Sequence, residues 1–587
     1  MKRFQNLMRQ DARTRQFPLE RGTGGLAAKT FRGRRKLRMG FANFFTAVLL
    51  GSAAGVAGVS GAKAADLPAR AAAPIEYVRI CDAYGAGFFY IPGTETCLRV
   101  GGLVLAEGRT FDPSYSISGT GFYGNGIPAF HGGLAGVGVA AGPGFLPGVA
   151  QYSNNRSRDA ASFNALGRVE LDSRTASPWG TLRAFARVDA YYGSGANSAT
   201  GSLASLGNTW NTTAGTSSQR ETTIINKAFI QFAGLTAGRA QSMFDFYADA
   251  YNWVNVRGSN ATVALFSYTA TFGSGFSSTI SFEDQPSRRA AIGSTIASAT
   301  ATAAGAPIPI NVGGITGTSF QGQPAGARVP EIVGNLRLDQ PWGAVQLSAA
   351  AHQVRASLFG STALGTPPAT GAGLTPAYAF PALVSNSYGF AIQGGVQLNA
   401  DFLSPGDKLW LQAAYEKGAF GYIAGNNLGY NYGAVNQNRY AGSGFTASDY
   451  STGWNSQPNS DCVFTGSGSC EQQWGWDITG AYKHYWIPTL SSGIYGSYME
   501  VHYPANALSG FGGGVGISNI KEARVGTNLI WTPLKGFDIG AEFMYVHLNQ
   551  TRPVGLAPDA LLTATGLPAF RPNQSQYEGR VRVQRAF

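Results

Sequence analysis

The 587-residue chain carries 44 Lys and Arg against 32 Asp and Glu, a net charge of +12, which taken alone invites an acidic partner such as nucleic acid. Its distribution excludes that, because 13 of the basic and 2 of the acidic residues precede residue 65, leaving a nearly balanced 31 and 30. After residue 65 no run of about 18 apolar residues remains, which excludes a spanning helix, whereas 80 Gly, 26 Tyr and 35 Phe with 13% charged residues suit strands and turns.

The first element in chain order is a leader. A basic stretch of Arg32, Arg34, Arg35, Lys36 and Arg38 precedes an apolar run over 44–50, and Ala62-Lys63-Ala64 forms a small-x-small cleavage site. These features predict a signal peptide with an N-terminal extension over 1–64, removed to leave Ala65 first, and a translation start further in, at Met8 for example. Arg34-Arg35 is compatible with twin-arginine export, but a barrel has to arrive unfolded, so the general secretory route is expected. An oxidising destination makes disulfides of the two sequence-local cysteine pairs, Cys81 with Cys97 and Cys462 with Cys470. Neither pair has zinc-ligand spacing, and no metal or other cofactor is expected.

A mature N-terminal segment over 65–97 leads into a first strand over 98–109. The decisive signal is period-two alternation in segments of about ten residues. Over 161–174, Phe163, Ala165, Gly167, Val169 and Leu171 alternate with Arg168, Glu170, Asp172 and Arg174. Past a Ser177-Pro178-Trp179-Gly180 turn, Leu182, Ala184, Ala186 and Val188 alternate with Arg183, Phe185, Arg187 and Asp189, the pattern of an antiparallel hairpin. A second Pro-Trp-Gly hairpin lies over 329–351, and further hairpins over 222–244, 263–282, 389–417, 474–503 and 522–548. With a last strand over 577–587 the count is sixteen, the even closure that a bacterial barrel requires.

Short turns such as 233–235 alternate with long Gly-, Ser- and Asn-rich connections such as 111–159 and 421–473, matching short periplasmic turns and long external loops. The last strand sets Tyr577, Val581, Val583 and Phe587 on one apolar face, and a terminal aromatic there resembles the assembly signal of outer-membrane barrels. The fold expected is therefore all-β, a transmembrane antiparallel 16-stranded barrel over 98–587. A secreted sandwich or solenoid also alternates, but does not call for these three features together.

Lipid sets the direction of the charged faces, since an Arg facing hydrocarbon at the midplane costs about 2–4 kcal/mol. Arg168, Arg174, Arg183 and Arg187 are thus expected to line the lumen, with Arg239 and Arg337 assigned there from their own strands. Counter-charges come from Glu170, Asp172 and Asp189 on the wall and from Asp245 and Asp249 in an inward loop at about 245–262. A basic wall opposite an acidic loop would order water and orient dipolar solutes, although some of these arginines are expected only to pair with wall carboxylates. Trp179, Trp342, Trp410, Trp531 and Phe587 lie near turns and are expected in the interfacial girdle. The five histidines are scattered, and G-x-S-x-G, H-E-x-x-H and P-loop motifs are absent, so no catalytic residue is assigned and an enzyme is not expected.

The text EYVRICDAYGAGFFYIPGTETCLRV over 76–100 resembles the N-terminal block of the alphaproteobacterial porins, the family of the major Brucella-type outer-membrane porins. AFIQFAGLTAGRAQSMFDFY over 228–247 is similar to the strand-turn-strand ahead of that family's constriction loop, and RVRVQRAF at the C-terminus fits as well. The resemblance implies a homotrimer in the outer membrane of a Gram-negative bacterium, with a third external loop folded into each lumen. It also implies a water-filled channel for ions and small hydrophilic solutes, with lipid, lipopolysaccharide and the outer-membrane assembly machinery as partners and no nucleic acid. Long connections at 111–159 and 286–328 depart from the family pattern, and the near balance of lumen charges leaves the sign of ion selectivity to their placement.

Overall fold

A computed structural model describes residues 79–111, 161–193, 220–296, 310–317, 319–361, 378–424, 460–511, 516–555 and 572–587. The chain divides into two units, 1–75 and 76–587. The first lies outside the described residues, and with it the leader and cleavage site expected over 1–64; the same holds for 112–160.

Sixteen antiparallel strands close into a barrel. They are β1 Thr96–Phe111, β2 Ala161–Thr175, β3 Leu182–Gly193, β4 Arg220–Phe232, β5 Leu235–Gln241, β6 Thr262–Gly273, β7 Phe276–Glu283 and β8 Glu331–Gln340. The second half comprises β9 Gly343–Ser361, β10 Tyr378–Asn399, β11 Lys408–Lys417, β12 Trp474–Ile487, β13 Leu490–His502, β14 Ile520–Leu534, β15 Phe537–Gln550 and β16 Asn573–Ala586. Each strand pairs with the next, and β16 returns to β1 from Leu103 opposite Ala586 to Phe111 opposite Glu578. No edge is left in lipid, where an unpaired backbone group costs several kcal/mol.

All sixteen expected strands are present, and the differences are in length. β9 and β10 overrun their expected ends because they keep pairing beyond the end of β8, out to Ser361 opposite Tyr378, while Ser319–Pro324 adds to the overhang of β9. Alternation sorts the faces. In β2, Phe163, Val169 and Leu171 point outward and are exposed, whereas Leu166 and Asp172 are buried on the inner side.

Parts of the external connections fold back on this frame. Ala291–Ser294 lies parallel to Ser460–Phe464, which pairs in turn with Cys470–Gln472. The Cys462–Cys470 disulfide staples that hairpin. Its apolar side packs with Ile292 and Phe320 against Val354, Ala356 and Leu358 on β9. At the other end of the barrel, Cys81–Cys97 ties the segment before β1 to that strand, with Phe88 buried beside it.

Trp179, Trp342 and Trp531 are exposed at strand ends, but Trp410 departs from its expected girdle place. The outward face of β11 is the one carrying Leu411, so Trp410 shares the inner face with Gln412, Ala414 and Glu416 and its Nε1 donates to the Tyr251 hydroxyl at 3.1 Å. Proximity to a turn does not decide the face; parity does.

The chain terminus completes the closure. Tyr577, Val581, Val583 and Phe587 are all exposed on the outward face. The Phe587 N–H donates to the Gly102 carbonyl at 3.1 Å and the Gly102 N–H to the Phe587 carbonyl at 3.0 Å. The Phe587 ring occupies the space that a side chain at 102 would need, since a Cβ there would stand 2.5 Å from the ring and from the Arg168 carbonyl. Replacing Gly102 with Val is therefore expected to force the seam apart at a cost of about 1–3 kcal/mol. The check is the fraction of refolded protein that migrates as the compact form in unheated detergent gels, which should fall well below wild type.

Candidate functional site

The inner wall of β1 to β4 is built by register. Directly opposed residues of an antiparallel pair share a face, and here Arg168 faces Asp189, Glu170 faces Arg187 and Arg174 faces Arg183. Two carboxylates sit beneath guanidinium groups. Asp172 receives Arg174 at 2.9 Å, Arg183 at 2.9 Å and the β1 residue Arg99 at 3.9 Å. Asp189 receives Arg168 at 2.7 Å and Arg187 at 3.1 Å, with further hydrogen bonds from Tyr191 and Asn226. Glu170 lies 3.8 Å from Arg187.

A β-bulge in β4 adds a cation that alternation does not foresee. The register shifts between Arg187 and Val188, so that Arg187 faces Lys227 while Val188 faces Ile225. The extra residue puts both Asn226 and Lys227 on the inner side. Next to it, Phe185 stacks on Phe229 at 5.2 Å and Arg183 lies over both rings.

Arg337 also faces inward, opposite Gln346 and paired with Asp339 at 2.9 Å. Arg239 does not. In the short β5, Gln231 donates to Thr236 on the inner side, whereas Arg239 lies opposite Ala228 and the exposed Ala264 on the outward face. It stands two residues before the end of the strand and in the field of Asp284, where the penalty for facing lipid is far smaller than at the midplane.

The segment over 242–261 leaves β5 and runs inside the barrel. Its contacts go to every strand from β8 to β16. Asn335, Gln346 and Gln393 hold the carbonyls of Met243, Asp245 and Phe244. The Tyr247 N–H donates to Gln412 and the Arg257 N–H to Ser497, while Thr479 donates to the Arg257 carbonyl. Glu542 accepts the N–H groups of Trp253 at 2.7 Å and Val254 at 2.6 Å. Asn528, Arg524 and Arg580 hold the carbonyls of Tyr251, Asn255 and Trp253. The Arg257 side chain completes the set with an ion pair to Glu522 at 2.7 Å.

Both acidic residues expected in this loop are engaged in its own construction. Asp245 takes Arg288 at 2.9 Å, Ser259, and the Ala261 N–H at 2.6 Å. Asp249 accepts from Asn252, Asn255, Asn260 and the Val256 N–H. Burial pushes the Asp249 carboxyl above its ordinary range, against the pull of the hydrogen bonds from Asn252, Asn260 and Val256. Ala248 and Asp249 have φ of 46° and 57°, a left-handed conformation that non-glycine residues keep only where surrounding bonds enforce it.

A second buried network fastens the external connections. Arg288 lies over the Tyr422 ring at 4.4 Å, and the Tyr422 hydroxyl donates to Glu331 at 2.9 Å. His352 sits between Glu331 at 2.8 Å and Asp461 at 3.3 Å. Sequence reasoning missed Arg99, Lys227, Glu542 and this network. Arg99 and Glu542 carry a parity signal that could have found them; the network joins residues scattered from 288 to 461 and carries none.

Comparison with known proteins places these features. The profile of a porin subfamily matches residues 66–566. Porin Omp2b of Brucella canis and of Brucella melitensis are each 30% identical over 306 residues, 51% of this chain and 63% of the relative. The match thus spans less than two thirds of those relatives' length. Among solved structures, the outer-membrane channel DcaP of Acinetobacter baumannii aligns with a TM-score of 0.45 at 13% identity, over 85% of this chain and 99% of its own. Outer-membrane expressed OmpT of Vibrio cholerae aligns at 0.38 and 7%, over 85% and 99%.

The loop's attachment is open to test through Glu542. Glu542→Ala leaves two backbone N–H groups without an acceptor, at about 1–3 kcal/mol each for a buried donor, while the barrel ladder is untouched. Expected results are faster protease cleavage within 242–261 and noisier single-channel current, with the compact gel form retained; an intermediate effect is expected for Glu542→Gln.

Proposed function

This chain belongs to the porin subfamily, and on that premise we propose that it forms water-filled channels for passive diffusion of ions and small hydrophilic solutes. It sits in the outer membrane of a Gram-negative bacterium. The observation that carries the reading is a closed barrel whose inner face is ionic on one side and spanned by a wall-bonded loop on the other. Such a barrel needs a wet interior, because the guanidinium groups of β2 and β3 are each between 18% and 27% exposed and hydrocarbon would not tolerate them.

Arg168, Arg174, Arg183, Arg187 and Arg337, with Glu170, Asp172 and Asp189, line this passage, and the chain works by admitting solutes rather than by catalysing a reaction. Asp245 and Asp249 act by holding the loop at the depth where it narrows the lumen. The working unit is a homotrimer among outer-membrane lipid and lipopolysaccharide. The aromatic end of β16 is read by the outer-membrane assembly machinery.

Purified protein added to a planar lipid bilayer is expected to raise conductance in stable steps, many of them threefold. Replacing Arg168, Arg183 and Arg187 together by Gln should change both the step size and the ion preference. A silent protein rejects the channel, and unchanged steps remove these arginines from its narrow part.

A further inference from the structure

We infer that the inner wall of β1 to β4 is a two-step oxyanion track, so that the pore favours small anions such as phosphate, sulfate and carboxylates over cations. This rests on the channel reading above. Among the described side chains, the six cations Arg99, Arg168, Arg174, Arg183, Arg187 and Lys227 share this wall with four carboxylates, Glu107, Glu170, Asp172 and Asp189, and Glu107 is already paired with Arg580 and Arg582 of β16.

Layering decides what water meets. The Asp172 and Asp189 side chains are 1% and 0% exposed, whereas the arginines above them are 18% to 44% exposed. Arg168, Arg174 and Arg187 all spend their Nε and Nη2 groups on these carboxylates. Their Nη1 groups donate to nothing among the described residues. A guanidinium offers five N–H donors in a planar fork, so each keeps a free edge suited to an oxyanion.

Lys227 adds an uncompensated charge. The carboxylates whose charge reaches it, Asp245, Glu170 and Asp189, are each engaged by an arginine, Arg288, Arg187 and Arg168 respectively, and among the described residues Lys227 has no ion pair. The facing loop does not cancel this wall, because Asp245 is spent on Arg288 and Asp249 on four N–H donors, while Glu522 on β14 is spent on Arg257.

The cations form two levels, Arg99, Arg174 and Arg183 around Asp172 and Arg168 and Arg187 around Asp189, with Lys227 opposite Arg187. Arg183 and Arg187 are four positions apart on β3, about 13 Å along a strand. An anion leaving one level therefore meets the next, and several weak sites in series allow passage without trapping.

The test is the reversal potential of the full-length protein in a planar bilayer under a potassium chloride gradient. The expected sign is that of chloride preference, and millimolar inorganic phosphate should reduce the chloride current. Lys227→Gln, which breaks no ion pair, should lower the anion-to-cation permeability ratio about twofold and Lys227→Glu should reverse it. A triple variant carrying Arg168→Gln, Arg187→Gln and Asp189→Asn removes one level without stranding a buried carboxylate and should abolish the phosphate effect. Cation preference in the wild type, or a ratio unmoved by every one of these changes, overturns the inference while the channel stands. Absence of any conductance fails the channel reading itself.

Discussion

Every backbone N–H and C=O that lies in hydrocarbon has to find its partner within the protein, and this requirement shapes everything else in the chain. It is met only when β16 bonds back to β1. Once the sheet is closed, each strand has one face toward lipid and one toward an enclosed space, and successive residues must alternate between them. Charge near the midplane then has nowhere to go but inward. The seam itself obeys the same rule, for Glu107 on β1 is 3% exposed and is held from β16 by Arg582 and by Arg580 at 3.5 Å.

Within that enclosure the two sides are treated differently. From β8 to β16 many of the wall's polar groups are committed to the backbone of 242–261, so the loop is held by these hydrogen bonds together with the apolar contacts of Phe244, Tyr247, Val254 and Val256. Some of those groups are carboxylates, such as Glu542, whose acceptance of two neighbouring N–H groups does the work of a strand partner. From β1 to β4 the charges answer to one another. There Asp172 and Asp189 are at the bottom and the cations at the water, with Glu170 alone among these carboxylates at 29% exposure; the order follows from reach, because an Asp carboxyl carbon is bonded directly to Cβ, while an Arg can arch over it and keep a free edge.

Much of this was legible from residue order alone. Alternation of Phe163, Val169 and Leu171 with Arg168, Asp172 and Arg174 is a local signal, because in an extended chain the side chain's face depends only on position parity. The same reasoning found all sixteen strands, and it found the disulfides because each pair is close in sequence. It failed where parity is broken or where position beside a turn was taken in its place. Lys227 faces inward because one residue bulges; Trp410, placed by its nearness to a turn, lies on the inner face, and Arg239, assigned to the lumen by alternation within its own strand, lies on the outward face of the short β5.

Sequence by itself thus determined the class of fold, the number of strands and the general separation of ionic from apolar faces, since all three derive from a two-residue period and from the cost of charge in lipid. Only the tertiary structure decided which carboxylates are free and which are spent. Asp245 and Asp249 read as a charged rim when seen in order, yet their oxygens are filled by Arg288, Ser259 and a ring of amide donors that folding brings to them. Charge is written in the residues, but its availability to a passing ion depends on what stands beside it, and that is settled by contacts between strands and loops far apart in the chain.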